Sequence, residues 1–393
     1  MIHPFTISVD ESTLADLRSR LAKTRWPDQI ANEKWEMGTN EAYLQELCTY
    51  WQQQFDWLKQ EAYLNTFAHF KTEIDDIGIH FIHQKGKGKT SFPLLLIHGY
   101  PDSFFRFHKL IPLLTEADEE GFSFDVVVPS MPGYGFSGIP AEEGMDPKKM
   151  ADLFARLMVD ELGYDEFFAH GGDWGGSITE QLALYHDDHL HAIHLTDLPF
   201  HHTLEQPDDA SDAEKKFFEK IQKWQRTEGA YSMIQATKPQ SLAYSLTDSP
   251  AGLAAWLIEK FYAWSDNGGN LENAFTKDEL LTNLTIYWVT RTSNSSMRLY
   301  YEAIKSIMAA TYNPLIKYNP FDKTGKKTAV PAGFTFFPKD ISAPPRELVE
   351  RYFTIERWNE ISSGGHFAAM EQPQALADEI RQFFKGIHQS KSE

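Results

Sequence analysis

The spacing of apolar positions changes along the chain, and each change marks a different kind of element. Residues 10–25 place Leu14, Leu17 and Leu21 at helical intervals behind the cap candidates Asp10 and Ser12. Residues 40–58 repeat that pattern, with Leu44, Leu47, Trp51, Phe55 and Leu58 on one side of a single helix. Residues 70–74 and 77–83 read as the two strands of a hairpin around Asp75-Asp76. These elements form an opening block, an amino-terminal extension assigned to residues 1–90.

Continuous apolar runs follow. Residues 93–99, 124–129, 167–169 and 192–197 read as strands buried on both faces, with an amphipathic helix over 146–162 between the second and third. Strands alternating with helices predict the α/β class, a mostly parallel sheet with helices on both faces, here over residues 91–202. From 203 to 320 the signal is almost entirely helical and rich in Trp and Tyr, which fits a lid over the carboxyl edge of the sheet. Its aromatic side chains together predict an apolar pocket. The core resumes with a strand at 330–338, a last strand before Gly364 and a closing helix at 372–386, giving a second core segment over 321–393.

Composition narrows the function. A net charge of −19 argues against nucleic acid and anionic membrane surfaces as partners. The single cysteine, Cys48, forbids an internal disulfide and favours a reducing, cytoplasmic setting. The start has no signal-peptide pattern, and no run approaches the roughly 18 apolar residues of a membrane span, so no membrane anchor is expected. The opening block offers either a homo-oligomer interface or a brace for the lid.

The chemistry centres on His170-Gly171-Gly172-Asp173-Trp174-Gly175-Gly176. A short apolar run precedes it and a helical pattern follows, the setting of a nucleophile elbow. Serine is the usual nucleophile of such a turn; Asp173 stands there instead. A carboxylate attacking acyl carbon would give a labile anhydride, so its natural partner is an electrophilic sp3 carbon, as in an epoxide or alkyl halide, and the product is an alkyl ester of the enzyme. Chain order then offers Asp340 at the end of a strand and His366 in a glycine-flanked loop as acid and base. Glu347, Glu350, Glu356 and Glu360 also precede His366 and stay open as the acid. His98-Gly99-Tyr100-Pro101 supplies the other wall, with the backbone N–H groups of Tyr100 and Trp174 as oxyanion donors. Epoxide opening needs a proton donor for the alkoxide, for which Tyr231 and Tyr300 in the lid are suited; Tyr301 would point about 100° away from Tyr300. His186, His189, His191, His194, His201 and His202 invite a metal reading. Their spacing crosses a helix–strand boundary without a Cys or Glu-x-x-His pattern, so no metal and no organic cofactor are expected.

With these motifs together the chain resembles the microsomal-type epoxide hydrolases of the α/β-hydrolase superfamily. The resemblance runs from Pro4-Phe5-Thr6-Ile7 and Thr24-Arg25-Trp26-Pro27-Asp28 through Phe70-Lys71-Thr72-Glu73-Ile74 and His98-Gly99-x-Pro101. It continues over residues 129–137, the elbow, Gln235-Ala236-Thr237-Lys238-Pro239 and Gly364-Gly365-His366-Phe367-Ala368-Ala369. It implies an α/β-hydrolase fold and conversion of small apolar epoxides and water to vicinal diols. Asp173 would be the nucleophile, Asp340 the relay acid, His366 the base, and Tyr231 and Tyr300 the pair that polarises the epoxide. Tyr100 stands where many relatives carry Trp. The amino-terminal anchor of many animal members is not carried over. A haloalkane dehalogenase, sharing the Asp nucleophile and Trp174, is the runner-up; a hydrolase-fold binding protein for an apolar ligand is the non-enzyme alternative.

Overall fold

Strands form where β-branched and aromatic apolar runs can be buried, and the computed structural model gathers all of them into one sheet. It describes residues 1–31, 34–312, 326–341 and 343–392. The strands are His3–Pro4 (β1), His69–Ile74 (β2), Ile77–Gln84 (β3), Thr90–Ile97 (β4), Phe122–Pro129 (β5), Phe167–Gly171 (β6), Leu190–Leu195 (β7), Pro331–Phe336 (β8) and Thr354–Glu360 (β9). Their order is β1-β2-β3-β5-β4-β6-β7-β8-β9. From β5 to β9 neighbours pair in parallel, while β1, β2 and β3 add an antiparallel edge. The hairpin of the opening block is therefore part of the central sheet, through β3 against β5, rather than a separate block. Its turn puts Asp75 and Asp76 at φ of 50° and 61°, the left-handed pair of a two-residue hairpin turn.

Side-chain alternation along β6 shows how the sheet is covered. Phe168 stacks on Phe384 of the closing helix, 4.4 Å between ring centroids, whereas Gly171, three residues on and so on the opposite face, meets the helix that follows the elbow. The helices flanking the sheet and preceding it are Glu11–Ala22 (α1), Glu41–Gln53 (α2), Trp57–Leu64 (α3), Leu110–Thr115 (α4), Pro147–Arg156 (α5) and Trp174–Tyr185 (α6). The lid comprises Asp212–Thr227 (α7), Ala230–Thr237 (α8), Pro239–Asp248 (α9), Pro250–Trp264 (α10), Lys277–Thr290 (α11) and Ser293–Tyr312 (α12). Arg346–Glu350 (α13), Ala368–Glu371 (α14) and Pro373–Ser392 (α15) complete the chain. The lid end expected at residue 320 lies outside the described residues.

Two helices differ from expectation. The single helix over 40–58 breaks at Gln54–Asp56, because Asp56 leaves helical geometry and caps α3 by accepting the Lys59 N–H at 3.2 Å. The break shifts the phase, so Trp57 is buried and Leu58, expected on the apolar side, is 61% exposed. The helix over 146–162 holds α-geometry only through Arg156 and widens to a π turn over Leu157–Glu161.

The opening helices pack on the lid. Trp51 donates its indole N–H to Thr285 at 3.0 Å, Tyr50 donates its hydroxyl to Asp278 at 2.9 Å, and the Trp35 ring stacks on Tyr262 at 3.9 Å. These contacts tie α2 and the segment before it to α10 and α11 over the carboxyl edge of the sheet. Among the described residues no helix is long and apolar enough to cross a membrane.

Candidate active site

The elbow forms because β4, β6 and α6 approach more closely than side chains allow. A Cβ on Gly175 would strike the carbonyl of Ile97, and one on Gly99 would strike the Asp173 carboxylate. Asp173 itself sits at φ 58°, ψ −130°, a conformation that costs a non-glycine residue roughly 1–3 kcal/mol. The surrounding hydrogen bonds impose it. Asp197 at the end of β7 accepts the Asp173 N–H at 2.6 Å, and the Tyr100 N–H donates to the Asp173 carboxylate at 2.8 Å. Trp174, expected as the second donor, opens α6, so its N–H is one of the four that a helix leaves without an internal partner.

His98 and Pro101 build the loop that presents Tyr100. The fully buried His98 ring accepts the Met131 N–H at 3.2 Å, and the Pro101 carbonyl accepts from Asn283 at 2.9 Å. Asp102 accepts the Gly99 N–H at 2.9 Å and pairs with Arg106, which donates to the His366 carbonyl at 2.6 Å. The loops after β4 and β9 are thereby joined through one buried guanidinium.

His366 lies 3.5 Å from Asp173 through Nε2 and 2.8 Å from Asp340 through Nδ1. Three rival acids are engaged elsewhere, Glu347 with Ser211, Glu350 with Arg346 and Glu360 with the Trp358 indole, and the fourth, Glu356, is exposed on β9. Burial alone would favour a neutral imidazole. The charge of Asp340, with Asp173 on the other nitrogen, outweighs it and raises the group to about 10. His366 is therefore an imidazolium between two carboxylates in the resting site. A folded value above the ~6.5 of an unfolded histidine gives stability that is complete below that pH and is lost as pH rises through 10. The thermal midpoint is expected to fall between pH 7 and 10, and His366→Gln should flatten that slope. An unchanged slope in the variant would place the titration on another group.

Tyr231 and Tyr300, from α8 and α12, meet above Asp173 with ring centroids 5.9 Å apart. Trp174 packs edge-on against Tyr300 at 4.8 Å, and Trp264 lies 5.3 Å from both Tyr231 and His366. Burial, followed by the charge of Asp173 for Tyr231 and by Tyr231 itself for Tyr300, raises both phenols above their ordinary value, so both carry their proton at neutral pH. Tyr300 lines the cavity over Asp173, while Tyr301 faces a separate depression beside Arg298 and Lys238. The cavity is about 540 Å³ and walled by apolar groups such as Phe200, Leu204, Ile221, Trp224 and Ala236, with Asp173, Asp197, Asp340 and His366 at its floor. That combination suits an apolar ligand fixed by a few polar atoms.

Residues 2–107 match the family described as epoxide hydrolase N terminus, and residues 93–230 match the alpha/beta hydrolase fold. The chain is 35% identical to epoxide hydrolase 1 of Sus scrofa over 99% of its own length and 89% of that protein. The chain belongs to the epoxide hydrolases. The crystal structure of juvenile hormone epoxide hydrolase from Bombyx mori superposes with a TM-score of 0.85 at 29% identity, covering 100% of this chain and 95% of the other. The epoxide hydrolase of Aspergillus niger gives 0.83 at 26% identity, covering 98% and 97%. The α/β-hydrolase fold and the resemblance read from the motifs are thus those of this epoxide hydrolase.

Several residues of the site escaped the sequence reading. Asp197 holds the backbone N–H of Asp173 and is half-buried, with its own ionisation opposed by burial and by Asp340. Its only sequence signal is a polar residue at the carboxyl end of a buried strand, the place where such sheets carry function. Arg106 gave no signal, because a lone arginine in an aromatic stretch reads as surface. Trp264 was seen only as one of many lid aromatics.

Proposed function

We propose that the enzyme opens apolar epoxides through a covalent ester on Asp173, with Tyr231 and Tyr300 donating to the epoxide oxygen and His366, held by Asp340, activating water for the second step. The observation that carries this reading is the convergence of a strained carboxylate, a buried His–Asp pair and two protonated phenols on one apolar cavity. An Asp173 oxygen attacks a ring carbon; the carbon–oxygen bond breaks, and the alkoxide takes a proton from the tyrosine pair. Esterification removes one of the two negative partners that kept His366 charged, so the imidazolium gives up its proton more readily and becomes a base. That proton balances the one taken up by the alkoxide. Neutral His366 then deprotonates water, hydroxide attacks the ester carbonyl, and the N–H groups of Tyr100 and Trp174 hold the developing oxyanion. Diol leaves, and the carboxylate and imidazolium are restored.

The test is turnover of styrene oxide, with diol formed well in excess of protein. Two phenols support epoxide over halide chemistry, because a departing halide needs no proton. Tyr231→Phe and Tyr300→Phe should each slow the alkylation phase by roughly 10- to 100-fold, and the double variant should lose it nearly completely. Single-turnover rates that match the wild type in both single variants would return the tyrosines to packing.

A further inference from the structure

Outside the active site, one buried carboxylate sits between two imidazoles. Glu180, on α6 and 2% exposed, projects toward the short turn Phe200–Thr203 that opens the lid. His202 Nε2 stands 2.6 Å from one of its oxygens and His201 Nε2 stands 3.2 Å from the other. All three potential ligand atoms lie within 4.8 Å of one another. We propose that Glu180, His201 and His202 form a binding site for a divalent cation of the zinc class, which fastens the start of the lid to the helix that carries the nucleophile.

The ligand set and its spacing carry the argument. Zinc bonds of about 2.0–2.2 Å to nitrogen and oxygen, at right or tetrahedral angles, place neighbouring ligand atoms roughly 2.9–3.5 Å apart. The two nitrogen–oxygen separations, 2.6 Å and 3.2 Å, lie within or a few tenths of an ångström from that range. Imidazole and carboxylate together suit zinc, cobalt, nickel and copper rather than magnesium or calcium. The rings are held in place before any ion arrives: His202 stacks on Tyr352 at 3.7 Å, and the two histidine rings lie 3.9 Å apart. A buried carboxylate needs a positive partner, and among the described residues its ion-pair partners are these two imidazoles. The His202 side chain is 11% exposed, enough for an ion to enter and for water to complete the coordination.

The location gives the site a task. Phe200 precedes the two histidines, lines the substrate cavity and packs edge-on against Trp174 at 4.9 Å. An ion at Glu180 would fix one wall of the cavity against α6 without touching the reacting atoms, so the proposal stands apart from the ester mechanism.

The test uses the full chain, stripped with a chelator and dialysed, then titrated with Zn2+ or Co2+. One equivalent retained through gel filtration, a visible Co2+ band and a raised thermal midpoint are expected. Glutamine keeps a donor toward Glu180 but offers no ring nitrogen. His201→Gln and His202→Gln should each weaken Zn2+ binding by more than the roughly 10- to 100-fold lost when only a group supporting a ligand is removed. His186→Gln, which removes the imidazole that caps the far end of α6 and stands 2.9 Å from Asp152 on α5, should change nothing. Failure to retain Zn2+, or equal retention by His202→Gln, overturns the proposal; both histidine variants lie near the surface, so the result does not depend on Glu180→Gln folding.

Discussion

Replacing Asp173 with alanine is expected to lower diol formation by at least about 10,000-fold while leaving the fold intact. No neighbouring group can take over. Asp340 is committed to His366 Nδ1, and Asp197 accepts the backbone N–H of residue 173 itself, so neither carboxylate is aimed at the substrate. The loss should appear in kcat rather than KM, because the apolar walls that bind the substrate remain. Glycine at the same position separates chemistry from strain. Alanine retains the Cβ that is unfavourable at φ 58°, and glycine does not. Asp173→Gly should therefore be equally inactive yet more stable than Asp173→Ala by about 1–3 kcal/mol in denaturant unfolding. Turnover surviving in either variant would place the nucleophile elsewhere. Equal stability of the two would mean that the strain is not stored at this residue.

What could be read from the sequence was what is encoded locally. The elbow glycines, His98-Gly99-x-Pro101 and Gly364-Gly365-His366 announce themselves because each motif is compact in sequence, although the contacts it serves are distant: Gly99 meets Asp173, Gly175 meets Ile97 and Gly365 meets Trp264. The buried strands were legible because parallel strands covered on both faces are continuously apolar. Pairing is not local. That β3 joins β5, and so draws the hairpin into the main sheet, depends on an edge that no residue pattern marks. The break at Asp56 was hidden because Phe55 and Leu58 continue a helical spacing that a cap overrules. Asp340 was legible as a strand end, but its rivals were dismissed only by three-dimensional partners such as Arg346 for Glu350. Tyr231 and Tyr300 depended on the resemblance, since an aromatic helix face looks alike whether it packs or reacts. The histidines near 201 were visible, whereas Glu180, their carboxylate, lies on another element that spacing could not connect to them.

His366→Gln is expected to capture the enzyme halfway through its cycle. Incubated with an epoxide, the variant should gain the whole mass of that epoxide, one equivalent per chain, mapped to Asp173. Two arguments separate this variant from the loss of Asp173. Alkylation needs the carboxylate and a donor for the alkoxide, and the tyrosine pair stays in place above the cavity floor. Ester hydrolysis needs a base, and glutamine is not one. In the proposed mechanism the wild-type imidazolium also contributes to the first step, as the neighbouring charge of Asp173 and the proton source behind the tyrosines. The variant should therefore alkylate more slowly than wild type, then stop after one turnover. Raising the pH should not rescue the second step, because the base is lost from the position of Nε2, 3.5 Å from the carboxylate. An adduct equal to an alkyl group after halide loss, formed from a haloalkane and not from an epoxide, would reassign the chemistry to dehalogenation. Steady turnover by the variant would show that His366 is not the base, and the carboxylates around it would have to be reconsidered one at a time, beginning with Asp197.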